Sequence, residues 1–130
     1  MMATNTSAVQ LKLGGFTIMC EAVAEALAED GILELRSGRW GGESIILASL
    51  SFPKVFETNS FGLIRFGAFE MQKAAASGEI TWFRARVDTD NIIEGSVGVR
   101  DTNVTMKDTM VYKDMELVLE GFGFVVKMQG

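Results

Sequence analysis

At Gly31 the apolar residues of this chain change their spacing. Before it, in "FTIMCEAVAEALAED" (Phe16 to Asp30), they recur at three and four residues, the period of a helix that buries one face. After it they alternate at two. In "ILELRS", Leu33 and Leu35 fall on one side of a strand and Glu34 and Arg36 on the other. Further segments of this kind follow: "IILASLSF" (45–52), "LIRFGAFEM" (63–71), "EITWFRARVD" (79–88), "IIEGSVGV" (92–99), "NVTM" (103–106) and "MELVLEGFGFVVKM" (115–128). Gly, Asp and Asn mark the turns between them, and Pro53 ends the second. About eight short strands at regular spacing, without βαβ alternation, predict an all-β fold with one N-terminal helix, as an antiparallel sandwich or barrel. No linker or repeat divides the chain, so residues 1–130 read as one domain.

The N-terminal third sets further expectations. Residues 1–8 are small and polar and read as a flexible arm, and "VQLKL" (Val9 to Leu13) as a short strand broken by Gly14 and Gly15. The helix is expected from Phe16 with Thr17 as a possible N-cap. Its apolar stripe would be Ile18 or Met19, Ala22 or Val23, Ala26 and Leu27. Glu21, Glu25 and Glu29 form an acidic stripe that either faces water or meets a basic partner. Gly31 stands where a left-handed C-terminal residue is wanted. Cys20, one residue off the stripe, reads as a buried thiol.

Composition removes several functions. The net charge is −5, which disfavours a general nucleic-acid binder and an anionic membrane surface. There is no histidine, so the commonest general base and zinc ligand is missing. The single cysteine allows no internal disulfide. No apolar run approaches the ~20 residues of a spanning helix, and "MMATNTSAVQ" lacks the features of a signal peptide; folding in a cytoplasm is the expectation. No cofactor or metal motif stands out, and a small enzyme is disfavoured.

The densest group of functional residue types lies in "GEITWFRARVDTDNIIEGSVG" (78–98). Thr81, Phe83, Ala85 and Val87 share the expected core face. Ile80, Trp82, Arg84 and Arg86 share the other, where guanidinium groups could lie over an indole. "DTDN" supplies turn formers, and Gly95 and Gly98 suit bulges or a position under a large side chain such as Trp82. The plain reading is a hairpin. Two others stay open: calcium held by Asp88, Asp90, Asn91 and Glu94, though the calcium-loop pattern is unmatched, and a pair of glycosidase carboxylates. The eight methionines either fill the core or mark an adaptable interface.

The succession "ALAEDGILELRSG", "ILASLSFPKVF", "ASGEITWFRARVDTDNIIEGSVG" and "MVYKDMELVLEGFGFVV" resembles a group of small structural proteins of tailed bacteriophages. The specific part is the hairpin, through Gly78, Thr81, Trp82, Phe83, Arg84, Asp88, Asp90, Gly95, Ser96, Val97 and Gly98. The sequence departs from the group at "RWGGES", which replaces a proline-containing loop, and is more charged near "KDTMVYKDME". The resemblance implies a virion component with a jelly-roll-like sandwich, of the capsid cement or decoration type. Such a protein would bind the major capsid protein on the virion surface and associate with itself as a dimer or trimer. It would be made in the host cytoplasm and bind neither nucleic acid nor membrane. The candidate contacts are Arg39 and Trp40 in the loop "GRWGG", Val9 and Gln10 in an arm that could order by strand addition, and Tyr112. Trp40 either anchors a partner or folds back onto its own sandwich. A tail or baseplate protein, carbohydrate-binding through Trp40, Trp82 and Tyr112, is the alternative.

Overall fold

The computed structural model describes residues 13–59, 61–100, 102–117 and 119–125. Val9, Gln10 and the expected arm lie outside them. The described residues are mostly strand with one helix, and their large curled sheet gives a sandwich-like body, as the alternation at two predicts.

Helix α1 (Leu13–Asp30) begins earlier than expected. Leu13, assigned above to a strand, is its first residue, and Thr17 lies inside it rather than at its cap. The buried face is Cys20, Ala24, Leu27 and Ala28, with Val23 at its margin, while Ile18, Met19, Ala22 and Ala26 face out. The expected stripe was thus displaced, because the small residues Ala24 and Ala28 form the contact face. Burial pushes the Cys20 thiol above its ordinary range. Lys54 Nζ donates to the carbonyls of Ala28 (2.9 Å) and Glu29 (3.2 Å), which have no partner within the helix.

The chain passes from Asp30 straight into β1 (Gly31–Arg36). Gly31 is not left-handed; it is required by crowding. A Cβ there would lie 2.4 Å from the Leu27 carbonyl oxygen and 2.8 Å from the Phe52 ring. The other main strands are β2 (Ile46–Ser51), β3 (Phe56–Thr58) and β4 (Leu63–Phe66). Two-residue strands β5 (Gln72–Lys73) and β6 (Gly78–Glu79) come next, then β7 (Trp82–Val87), β8 (Asp90–Gly98) and β9 (Val104–Met106). The chain continues through the two-residue β10 (Met110–Val111) and β11 (Glu116–Leu117) to β12 (Leu119–Val125). The segment expected as one strand over 79–88 breaks at Ile80 and Thr81. The Ile80 N–H donates to Thr109 O (2.8 Å), while the Thr81 N–H donates to the carbonyl of Arg36 at the end of β1 (2.9 Å).

The large sheet runs β2-β1-β7-β8-β9-β12-β4-β3. Its pairings are antiparallel except at one junction. There Val97 and Gly98 of β8 lie parallel to Val104 and Thr105 of β9. Parallel neighbours ordinarily need a long crossover. Here the parallel pairing is only two residues long. Asn103 Oδ1 also accepts from the N–H of Ser96 (3.2 Å) and so ties the two strands together.

About this junction the sheet curls, bringing β7 opposite β12. The Phe83 ring meets Phe122 edge-on at 5.3 Å. Phe52, just after β2, lies 4.7 Å from Phe66 and 5.2 Å from Phe122. Helix α1 packs against β1 and β7 on one side and β3 and β4 on the other. Gly95 sits opposite Phe83 on the core face, not under Trp82. A Cβ on it would lie 2.6 Å from the Phe83 ring and 2.5 Å from Asn103 Oδ1.

Candidate partner-binding face

The outer face of β1, β7 and β8 carries the most connected polar cluster among the described residues. Antiparallel register sets Glu34 opposite Arg84, Arg36 opposite Trp82, and Arg84 in turn opposite Glu94. Period-two alternation brings these side chains onto the same surface.

Glu34 is 4% exposed. Its Oε1 accepts from Arg36 Nε at 3.0 Å, and its Oε2 accepts from Arg86 Nε at 2.8 Å. Burial is the largest single effect on this carboxyl and raises its pKa. The hydrogen bonds and charges of Arg86 and Arg36 together outweigh it and hold the group below the usual carboxylate range. Arg36 and Arg86 are held at their far ends as well, donating through Nη1 to Ser44 Oγ (2.8 Å) and Asp88 O (2.9 Å).

Trp82 lies at the centre and is buried. The guanidinium carbons of Arg36 and Arg84 each stand 5.3 Å from its ring centroid, within cation–π range. The arginines over the indole are therefore Arg36 and Arg84; Arg86, expected there, serves Glu34 instead. Trp82 Nε1 donates to Ser37 O at 3.1 Å, and Thr81 Oγ1 to Gly38 O at 2.7 Å. These bonds fasten the loop between β1 and β2 across the sheet.

The loop turns at Gly38 (φ 82°) and Gly41 (φ 84°), conformations that favour glycine. At Gly38 a Cβ would also meet Glu43 O at 2.3 Å. The turn lays Trp40 back over Trp82, with centroids 6.4 Å apart and planes 12° from parallel, an offset stack. Trp40 Nε1 donates to Glu94 Oε1 at 2.9 Å, and Arg84 Nε donates to Glu94 Oε2 at 2.6 Å. The bonds from Trp40 and then Arg84 hold the Glu94 carboxyl below its ordinary range, against a smaller effect of burial.

Trp40 remains 54% exposed. It presents an indole fixed in place over a rigid base, with exposed Arg39 beside it. Tyr112 is exposed just after β10, and among the described residues no ring contact joins it to either tryptophan. The three aromatics thus form one pair and one separate ring.

Both oxygens of Glu94 are engaged by Arg84 and Trp40. Asp88 occupies the β7–β8 turn at φ 54°, and among the described residues no acidic group clusters as a metal site would require. A glycosidase acid needs a raised pKa; Glu34 and Glu94 are shifted the opposite way. Sequence reading placed Trp82 and Arg84 here but missed Glu34 and Arg36 as partners. The signal was available, since β1 alternates Glu34 and Arg36 just as β7 alternates Trp82, Arg84 and Arg86.

No family model matches this chain, and the searches of curated proteins and of solved structures returned no match.

Proposed function

We propose that this protein is a structural component of a tailed-bacteriophage particle, most specifically a cement protein that binds the major capsid protein lattice and stabilises the shell. The observation that carries the reading is the role of the hairpin on which the phage resemblance rests. Its Trp82, Arg84 and Glu94 are consumed in holding Trp40 half-exposed on a rigid base. Tryptophan and arginine contribute disproportionately to protein interfaces, and a pre-ordered side chain loses little entropy on docking. A small domain that binds the assembled lattice and not its free subunits stabilises the lattice by mass action.

Calorimetry of shells with and without the added protein tests this. The expected result is a rise in shell melting temperature that saturates at a fixed ratio of protein to capsid subunit. An unchanged melting temperature at saturating protein would remove the cement reading. Binding confined to tails would move the protein to the tail or baseplate.

A further inference from the structure

The loop between β1 and β2 is fastened more firmly at its base than at its tip. At the base, Trp82 Nε1 and Thr81 Oγ1 donate to the carbonyls of Ser37 and Gly38, and the Ser37 N–H donates to Ile45 O at 3.1 Å. The tip, residues 39–42, closes on itself through the Gly42 N–H to Arg39 O at 2.9 Å. A Cβ at Gly41 would meet nothing within 4 Å, so the tip has open space beside it. Among the described residues, one hydrogen bond and one ring contact join this tip to the sheet, and Trp40 makes both. They are the bond to Glu94 Oε1 and the stack on Trp82.

Glu94 takes two donors, one charged and one neutral. Its Oε2 faces Arg84 Nε, and its Oε1 faces Trp40 Nε1. Arg36 on β1 acts on it at longer range. The other carboxylate of this face, Glu34, has its own oxygens taken by Arg36 and Arg86. Asp88 and Asp90 belong to the β7–β8 turn. On the loop, Arg39 and Glu43 are exposed and, among the described residues, form no ion pair. A carboxyl group that takes up a proton no longer accepts equally at both oxygens. The Arg84 charge repels that proton from Oε2, so it adds at Oε1 and confronts the indole N–H. Arg84 keeps its acceptor and Trp40 loses its own. Hydrogen bonds to an ionised acceptor are roughly twice as strong as neutral ones. The tip thus gives up its charge-assisted tie and keeps the stack alone.

We propose that the tip 39–42 is a latch with the Glu94 carboxylate as its catch: ionised Glu94 holds Trp40 down on Trp82, and uptake of one proton releases Trp40 and bares the Trp82 ring. Trp82 is 3% exposed while covered. It keeps Arg36 and Arg84 beside it when the cover lifts, because neither guanidinium is held by Trp40. The bonds from Trp40 and Arg84 keep the Glu94 carboxyl below its ordinary range. Release therefore comes below the usual glutamate value of about 4.3. The latch is a property of the free chain and does not depend on the particle reading. Where Trp40 anchors a partner, the same proton weakens the anchor.

The test uses the purified full-length protein alone. Two stacked indoles give an exciton-coupled circular-dichroism band, and acrylamide, a neutral quencher, reports their exposure. Trp40→Phe, with no second indole, supplies the baseline without the band. Between about pH 7 and about pH 3 the band of the parent is expected to fall to that baseline and quenching to rise. The midpoint should lie below about 4.3 and precede any loss of the backbone signal. Glu94→Gln presents one oxygen and one NH2 group, as the protonated acid presents one oxygen and one O–H, and it cannot take up a proton. It is expected to show the released signature already at neutral pH, with a native backbone signal and no further change in acid. An exciton band that persists in Glu94→Gln at neutral pH, or one that in the parent survives acid or fades only together with the backbone signal, would overturn the inference.

Discussion

Glu34 is the residue on which the outer face turns, because it is a buried carboxylate with a guanidinium on each oxygen. Glu34→Gln keeps the shape but leaves two partly buried cations without their counter-charge. A loss of roughly 2–3 kcal/mol is expected, read as a lower urea midpoint at unchanged slope. Glu94 adds a dependence on pH. Its folded pKa is depressed, so its contribution is fully present above the unfolded carboxylate value of about 4.3. That contribution is lost as pH falls through the folded value. The stability difference between the parent and Glu94→Gln should be constant from neutral pH down to about 5 and shrink below about 4; thermal melts across this range would show it. Trp40→Ala loses a stack and one hydrogen bond. It should cost about 1–2 kcal/mol and leave the fold intact, while binding to shells falls by far more than that loss of stability explains. A melt that collapses outright would make Trp40 a core residue.

Among the elements, the hairpin of β7 and β8 bears on both interior and exterior. Gly95 is the point of least tolerance, since a methyl group would strike the Phe83 ring and the Asn103 side chain that ties β8 to β9. Gly95→Ala is expected to cost about 1–3 kcal/mol, measured by chemical denaturation, against a near-neutral outcome for Gly67→Ala, where a Cβ would make only ordinary contacts. Much of this element was legible in the sequence: the alternation of Phe83 and Ala85 against Trp82 and Arg84 gave the two faces of β7 correctly, whereas Ile80, expected on the outer face, is buried in the core and Thr81, expected in the core, is exposed. The helix was harder to read, because Ile18 and Met19 are more apolar than Ala24 and Ala28, yet close approach to the sheet selects the small residues. Likewise Gly31 is explained by the neighbouring Leu27 carbonyl and Phe52 ring, a tertiary contact no local pattern announces. The break at Ile80 arises for the same reason, since its N–H turns to Thr109, which is remote in sequence.

At the scale of the whole molecule, the sheet and its core are built from long-range pairings. β1 pairs with β7, and β4 with β12. The sandwich architecture could be anticipated from alternation alone. The single parallel junction between β8 and β9 and the two-residue strands could not, because they depend on how the sheet curls.

The most direct measurement is a reconstruction of the intact particle at side-chain detail. The account predicts density for this chain on the shell, with Trp40 and Arg39 against the capsid protein and the Glu34 and Glu94 carboxylates still bound to their arginines. Density that leaves Trp40 facing solvent, or opens that cluster around a bound ion or sugar, would contradict it.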